Sequence, residues 1–202
     1  MAITVGVLVF DGVEEMDFAG PWEVLACVME GRPDDRILLV SERTGPVVCD
    51  KGMRVLPDVT YQDCPPLDVI VIPGGSGARR ETGNRKTVAW LRKIAPGCTW
   101  ITSVCTGTFL LVGSGIAGSR RVTTHHQFIQ LLRDTENADV AEGVRIMRDG
   151  NIVTAGGVMS GIEMSLWLVG QLFGPDAVSH ARDYIAYDFP PRESQEVAVA
   201  GN

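Results

Sequence analysis

The first recognisable pattern is a nearly continuous apolar run over residues 3–10, rich in Val and Ile. Such a run predicts a strand buried on both faces of a parallel sheet. Asp11-Gly12 ends it. Residues 14–29 carry apolar positions at helical spacing with Pro21 inside the pattern. A proline fits the first turn of a helix, so the helix is expected to begin near Ala19. Residues 37–40 predict a second strand. Residues 44–66 read as short strand pieces and turns ending at Cys64-Pro65-Pro66. Residues 69–72 form another buried strand, stopped by Pro73-Gly74-Gly75-Ser76-Gly77. An amphipathic helix is predicted over 87–94, a strand over 99–104, a helix including 107–112 and a short helical stretch over 128–132. Residues 144–147 and 152–154 flank Asp149-Gly150-Asn151, a strong hairpin signal. Residues 161–173 read as a long apolar helix and 175–184 as a last one. The end, 192–202, is polar or small and is expected to fray.

Strand and helix alternate over most of the length, with no repeat, low-complexity tract or linker. That order predicts an α/β fold: a single-domain open, mostly parallel sheet with helices on both faces, spanning 1–191. The 202 residues suit one domain, and 45% hydrophobic against 21% charged residues is enough apolar material for a core. The net charge of −7 argues against a nucleic-acid partner and against docking on anionic membranes. No apolar run approaches the roughly 18–20 residues that cross a bilayer. The start has no basic segment ahead of its apolar stretch and reads as a strand, not a secretion signal. The five cysteines are odd in number, widely spaced and without a Cys-x-x-Cys pair. Free thiols in a reducing, cytoplasmic compartment are therefore expected. Only His125, His126 and His180 are available for base or metal chemistry.

In an open α/β sheet, ligands bind beyond the carboxyl ends of the strands. One strand end, Thr102-Ser103-Val104-Cys105-Thr106-Gly107, has a cysteine between an apolar strand and small residues that open a helix. This has the form of a nucleophile elbow, with Ser103 and Gly107 two positions either side. A thiol at a helix N-terminus is drawn towards thiolate. The competing reading is a buried structural cysteine. Gly74 and Gly75 either make a turn or bring backbone N–H groups to a reacting centre. Asp17 is either a helix cap or a desolvated carboxyl that shares a proton with a thiolate.

Assembled, these segments closely resemble the ThiJ/PfpI superfamily, relatives of the class I glutamine amidotransferases, over roughly residues 3–190. The stretches that carry the resemblance are Met16 to Pro21, Asp63 to Val69, Ile72 to Gly77, Thr102 to Gly107, Thr123-Thr124-His125, and Asp149 through Gly157. Within the superfamily the pattern is closest to its isocyanide hydratase branch. The resemblance implies a flavodoxin-like sheet, Cys105 as nucleophile and Asp17 as its acidic partner. It implies an anion pocket from the N–H groups of Gly75 and Thr106, beside Gly74, with Val158 bordering it and His125 nearby. It also implies no metal or organic cofactor, a small neutral substrate and a homodimer. The protease-like branch places His directly after the nucleophile. Thr106 stands there instead, so a Cys–His pair is not expected.

Three functions compete: an isocyanide hydratase, a glyoxalase-type hydratase of the same superfamily, and a ligand-binding or redox-sensing domain. Related regulators carry a C-terminal helix-turn-helix pair. The chain ends at Asn202 and is acidic, so DNA binding is not expected. His125 and His126 either border the site or only position a loop, and His180 is read as surface or interface. Cys27 and Cys98 are read as packing residues, Cys64 as part of a turn and Cys49 as exposed. Trp22, Trp90, Trp100 and Trp167 are assigned to core or interface. The segment from Tyr187 to Pro191 is read as bordering the site or a dimer contact.

Overall fold

A computed structural model of the chain describes residues 2–134, 138–188 and 197–201. Its elements run β1 (Thr4–Leu8), α1 (Glu15–Met29), β2 (Arg36–Ser41), β3 (Val47–Val48), β4 (Arg54–Val55), β5 (Val59–Thr60) and β6 (Val69–Ile72). They continue through α2 (Ala78–Glu81), α3 (Arg85–Ile94), β7 (Trp100–Val104), α4 (Gly107–Gly113), β8 (Arg121–Val122), α5 (Ile129–Arg133) and β9 (Asp139–Val140). The last are β10 (Ile146–Asp149), β11 (Ile152–Ala155), α6 (Ser160–Phe173), α7 (Pro175–Tyr184) and β12 (Ala198–Val199).

One sheet organises them, in the order β12-β10-β11-β7-β6-β1-β2-β5. Every pairing in it is parallel except the β10–β11 hairpin. The central strands β1, β6 and β7 are nearly or wholly buried, as continuous Val/Ile runs between two helical layers require. Helices α1, α6 and α7 pack together in one layer, while α2 packs on α4. Gly20 and Gly161 let α1 and α6 approach closely. A Cβ on Gly20 would lie 3.0 Å from Ile162 Cγ1, and one on Gly161 would meet Val104 and Pro21.

Three details differ from the sequence reading. Helix α1 begins at Glu15, not near Ala19, so Pro21 lies inside it. Pro21 has no N–H for the carbonyl of Asp17, one turn earlier. The earlier start nevertheless buries Asp17 and Phe18, and lets Glu15 Oε1 accept the Lys51 N–H at 2.8 Å. Cys49 is buried, not exposed. The β3–β4 hairpin folds onto the loop after β1, where Gly12 N–H donates to Val48 O and Asp50 N–H to Val13 O. The expected loose end instead returns to the sheet, with Ala198 and Val199 paired to Met147 and Arg148. Residues 192–196 and 202 of that stretch lie outside the described residues. Elsewhere the correspondence is close, to the exact bounds for β6 and α7.

All five cysteines are free. Among the described residues no helix is long and apolar enough to cross a membrane.

Helix α4 leaves β7 so sharply that Gly107 packs on backbone. A Cβ there would overlap the carbonyl oxygen of Ile72 and lie 2.7 Å from that of Pro73. Gly107→Ala is expected to destabilise the fold by about 3 kcal/mol, because neither carbonyl can move aside. Gly97, whose Cβ position is open space, should tolerate Ala within about 0.5 kcal/mol. Urea denaturation of the two variants checks the contrast.

Candidate active site

Strands β1, β6 and β7 lie side by side in the sheet, and the segments carrying Asp17, Gly74–Gly75 and Cys105 follow their carboxyl ends. Cys105 is the first residue after β7. Its φ is +56°, in the left-handed region, which for a side-chain-bearing residue costs on the order of 1–3 kcal/mol. Two backbone anchors hold it there. The Cys105 N–H donates to Ala155 O at 2.8 Å, and its carbonyl accepts from Thr124 Oγ1 at 2.8 Å. A buried relay of hydroxyls stands behind the turn. Ser103 Oγ lies 2.8 Å from Thr108 Oγ1, and Thr108 Oγ1 donates to Thr123 O at 2.8 Å. Thr123 N–H in turn donates to Thr154 Oγ1. These bonds press the 123–125 loop against the elbow, which is how His125 arrives at the site although 20 residues separate it from Cys105.

Asp17 is the third residue of α1 and is wholly buried. It is not the helix cap. Glu14 holds that position and makes no side-chain cap bond. Asp17 Oδ2 accepts the Gly74 N–H at 3.0 Å, while Oδ1 is buried with no partner. Burial pushes its pKa up to about 7; the Gly74 N–H opposes that rise, the Glu14 charge adds to it and a hydrogen bond from Cys105 opposes it. The Cys105 thiol is pushed up to about 12, first by burial and then by the charge of Asp17. The N–H and hydroxyl of Thr106 pull the other way. The sequence reading expected the N-terminus of α4 to favour thiolate. In the folded protein, burial and the neighbouring carboxyl outweigh that field. Two neighbouring groups that each resist a charge titrate as a coupled pair.

Gly74 and Gly75 close the other side. A Cβ on Gly74 would sit 2.6 Å from Thr106 N, 2.7 Å from Thr106 Oγ1 and 2.8 Å from Asp17 Oδ2. Only glycine lets these groups meet. Gly75 has φ +112° and packs against the backbone of Gly12 and Glu14. Its N–H donates to Thr106 Oγ1 at 3.0 Å, and that hydroxyl donates to Gly75 O at 3.1 Å. The Gly75 N–H, expected in an anion pocket, is therefore engaged by the Thr106 side chain. The Thr106 N–H favours the charged form of Cys105.

Cys105, Thr106, Gly75, Val158 and His125 line one pocket of about 270 Å3. Asp17 and Gly74 lie behind its wall. Val158 is in the turn before α6, not in the helix itself. His125 Nδ1 accepts the Gln127 N–H at 3.3 Å, so the neutral ring carries its proton on Nε2. Burial, and then the charge of His126, lower its pKa. Among the described residues no hydrogen bond joins His125 to Cys105. His126, 4.2 Å away ring to ring, lines a neighbouring cavity of about 290 Å3 with Thr124, Arg145 and Gly156. Larger cavities lie elsewhere on the molecule, one beside Arg43 and Arg80, another beside Arg92 and Ser114. Neither includes Cys105.

Sequence reasoning missed half of the pocket: Glu14, Asp50, Ser76, Arg79 and Phe128 also line it. Phe128, three residues beyond His125, and Arg79, just after the Gly-rich turn, adjoin segments already singled out. No local pattern marks Asp50. His180 is exposed. Tyr187 donates its hydroxyl to Glu163 at 2.8 Å, and Phe189 to Pro191 lie outside the described residues. Among the described residues no group of three His, Cys, Asp or Glu side chains is placed to hold a metal ion.

The model of the DJ-1/PfpI family matches residues 3–171. An isonitrile hydratase of Pseudomonas putida is 35% identical over 195 residues, 96% of this chain and 83% of that protein. The glutathione-independent glyoxalase DJR-1.2 of Caenorhabditis elegans is 28% identical over 70% of this chain and 75% of its own length. The crystal structure of a ThiJ/PfpI family protein from Pseudomonas syringae superposes with a TM-score of 0.86 at 28% identity, covering 96% of this chain and 78% of that one. With the cysteine elbow, the buried acid and the parallel sheet in place, the match over most of its length shows that this chain belongs to the DJ-1/PfpI family.

Proposed function

We propose that this protein hydrates an isocyanide to an N-formamide. The observation that carries the reading is the buried Asp17 carboxyl set against the Cys105 thiol, with one oxygen unpartnered and, among the described residues, no histidine bonded to the sulfur. That pair suits an uncharged electrophilic carbon that needs one nucleophile and one mobile proton. Similarity to an isonitrile hydratase supports the same choice.

The steps balance with water as the only co-substrate. Asp17 accepts the thiol proton, and the Cys105 sulfur bonds to the terminal isocyanide carbon. Asp17 returns that proton to the same carbon, giving a thioimidate, R–N=CH–S–Cys. Water then adds to this carbon. One of its protons passes through Asp17 to nitrogen, giving R–NH–CH(OH)–S–Cys. Collapse forms the formyl C=O, breaks the C–S bond and returns the hydroxyl proton to the thiolate. The Thr106 N–H, which favours the charged form of Cys105, steadies charge there during attack and departure.

Likeness to a named glyoxalase favours a second reading, hydration of a 2-oxoaldehyde by the same cysteine. Lactate formed from methylglyoxal, without formamide from isocyanides, would select it.

Three outcomes are expected. Purified protein should convert an aryl isocyanide to its formamide, followed by ultraviolet absorbance. Cys105→Ala should abolish turnover, and Asp17→Asn should lower kcat/KM by about 100-fold or more. Full turnover by Cys105→Ala would sink the mechanism.

The pH profile follows from the shared proton. With Asp17 titrating at about 7 and the thiol held up to about 12, the singly protonated pair fills as pH rises through about 7. A plot of log(kcat/KM) against pH should climb with unit slope into that region and then level off.

Stability should move oppositely. The folded pKa of Asp17 lies above its ordinary 3.8. Its contribution to stability is therefore full below about pH 4 and is lost as pH rises through about 7. Asp17→Asn removes that loss, so it should stabilise the fold more at about pH 8 than at about pH 5. The difference should be on the order of a few kcal/mol, read by urea titration at the two pH values.

A further inference from the structure

The mouth of the Cys105 pocket carries three charged side chains, Glu14, Asp50 and Arg79. Both carboxylates are already engaged. Lys51 Nζ lies 2.8 Å from Glu14 Oε2 and 2.7 Å from Asp50 Oδ2, and the Ser76 hydroxyl also donates to Asp50. Arg79 differs. Its guanidinium carbon lies over the Phe128 ring, another pocket wall, 4.9 Å from the centroid. Among the described residues no carboxylate lies at ion-pair distance from it. Its helix neighbour Arg80 faces elsewhere, donating to Asp11 O at 2.6 Å. Arg79 is thus the one pocket cation with no anion of its own among the described residues.

We propose that Arg79 selects isocyanides bearing a carboxylate at the end remote from the isocyano group. The proposal rests on the hydratase reading and names its substrate class. Cys105 lies at the buried floor, so an isocyanide whose terminal carbon meets the sulfur sends its linear C≡N–R axis outward to the mouth. The R group then runs along Phe128 and Val158, an apolar passage suited to an aryl or short alkyl body. Its far end reaches Arg79. Beyond its contact with Phe128, no acceptor among the described residues takes the guanidinium N–H groups. Their planar edge matches a carboxylate with two parallel hydrogen bonds. Lysine would keep the charge without the flat fork.

The test compares 4-isocyanobenzoate with its methyl ester, which differ in charge but share the reacting end. The wild type should show kcat/KM at least about tenfold higher for the acid, the range of one charge-assisted contact. Arg79→Gln should bring the acid-to-ester ratio to about one, and Arg79→Lys should give an intermediate ratio. A wild-type preference for the ester, or a ratio that Arg79→Gln leaves unchanged, overturns the proposal. Calorimetric titration with 4-formamidobenzoate and its ester reads the same preference without turnover. If neither isocyanide is hydrated but Arg79→Gln weakens binding of the acid about tenfold and not that of the ester, the hydratase reading falls while the carboxylate site stands. Equal binding of acid and ester by the wild type overturns the site.

Discussion

The hydrogen bond from the Gly74 N–H to the wholly buried Asp17 carboxyl holds the site together. A carboxyl carried out of water resists ionisation, and a single backbone donor offsets only part of that cost. The remaining demand for a proton falls on the nearest group, the Cys105 thiol. The elbow conformation, the absence of any Cβ on Gly74 and the Thr106 contacts all serve to keep sulfur and carboxyl together. A larger residue at 74 would separate Asp17 from Thr106, and a slacker elbow would withdraw the sulfur.

Rigidity around the thiol comes from polar groups as much as from apolar packing. Cys105 occupies a backbone region that most residues avoid, and bonds from both of its peptide groups compensate. Behind it, the hydroxyls of Ser103, Thr108, Thr123, Thr124 and Thr154 are all bonded although all are buried. A satisfied buried network is specific about geometry, because each slipped contact leaves a polar atom dry and unpaired. The network joins β7, β11 and the 123–125 loop, so Cys105 and the pocket wall are held as one body.

Charge at the mouth is arranged by contacts between distant parts of the chain. Lys51 arrives on the turn after β3 and bridges Glu14 and Asp50, offsetting one of their two charges. Glu15, one residue on, supports that same turn through its backbone N–H groups. The turn therefore fastens to the start of α1 twice, once by a buried carboxylate and once at the surface. Arg79 stays outside this exchange and rests on an aromatic face.

Much of this protein is written locally. Continuous Val/Ile runs mark β1, β6 and β7, Pro175 and Gly174 mark the start of α7, and Asp149-Gly150-Asn151 marks the hairpin, because hydrophobic period and turn chemistry act over a few residues. Cys105 between a strand and small residues is legible for the same reason, as is the family pattern around Gly74, Gly75 and Thr106. The start of α1 was not legible. Pro21 argues locally for a later beginning, but burial of Asp17 and Phe18 and the docking of Glu15 on the Lys51 turn outweigh one missing backbone bond. Nor was the burial of Cys49, the return of Ala198 and Val199 to the sheet edge, or the Arg79–Phe128 wall. The protonation of Asp17 and Cys105 belongs with these. A pKa answers to desolvation and neighbouring charge, and those exist only once residues 57 and 88 positions from Asp17, Gly74 and Cys105, have been brought to it by the sheet.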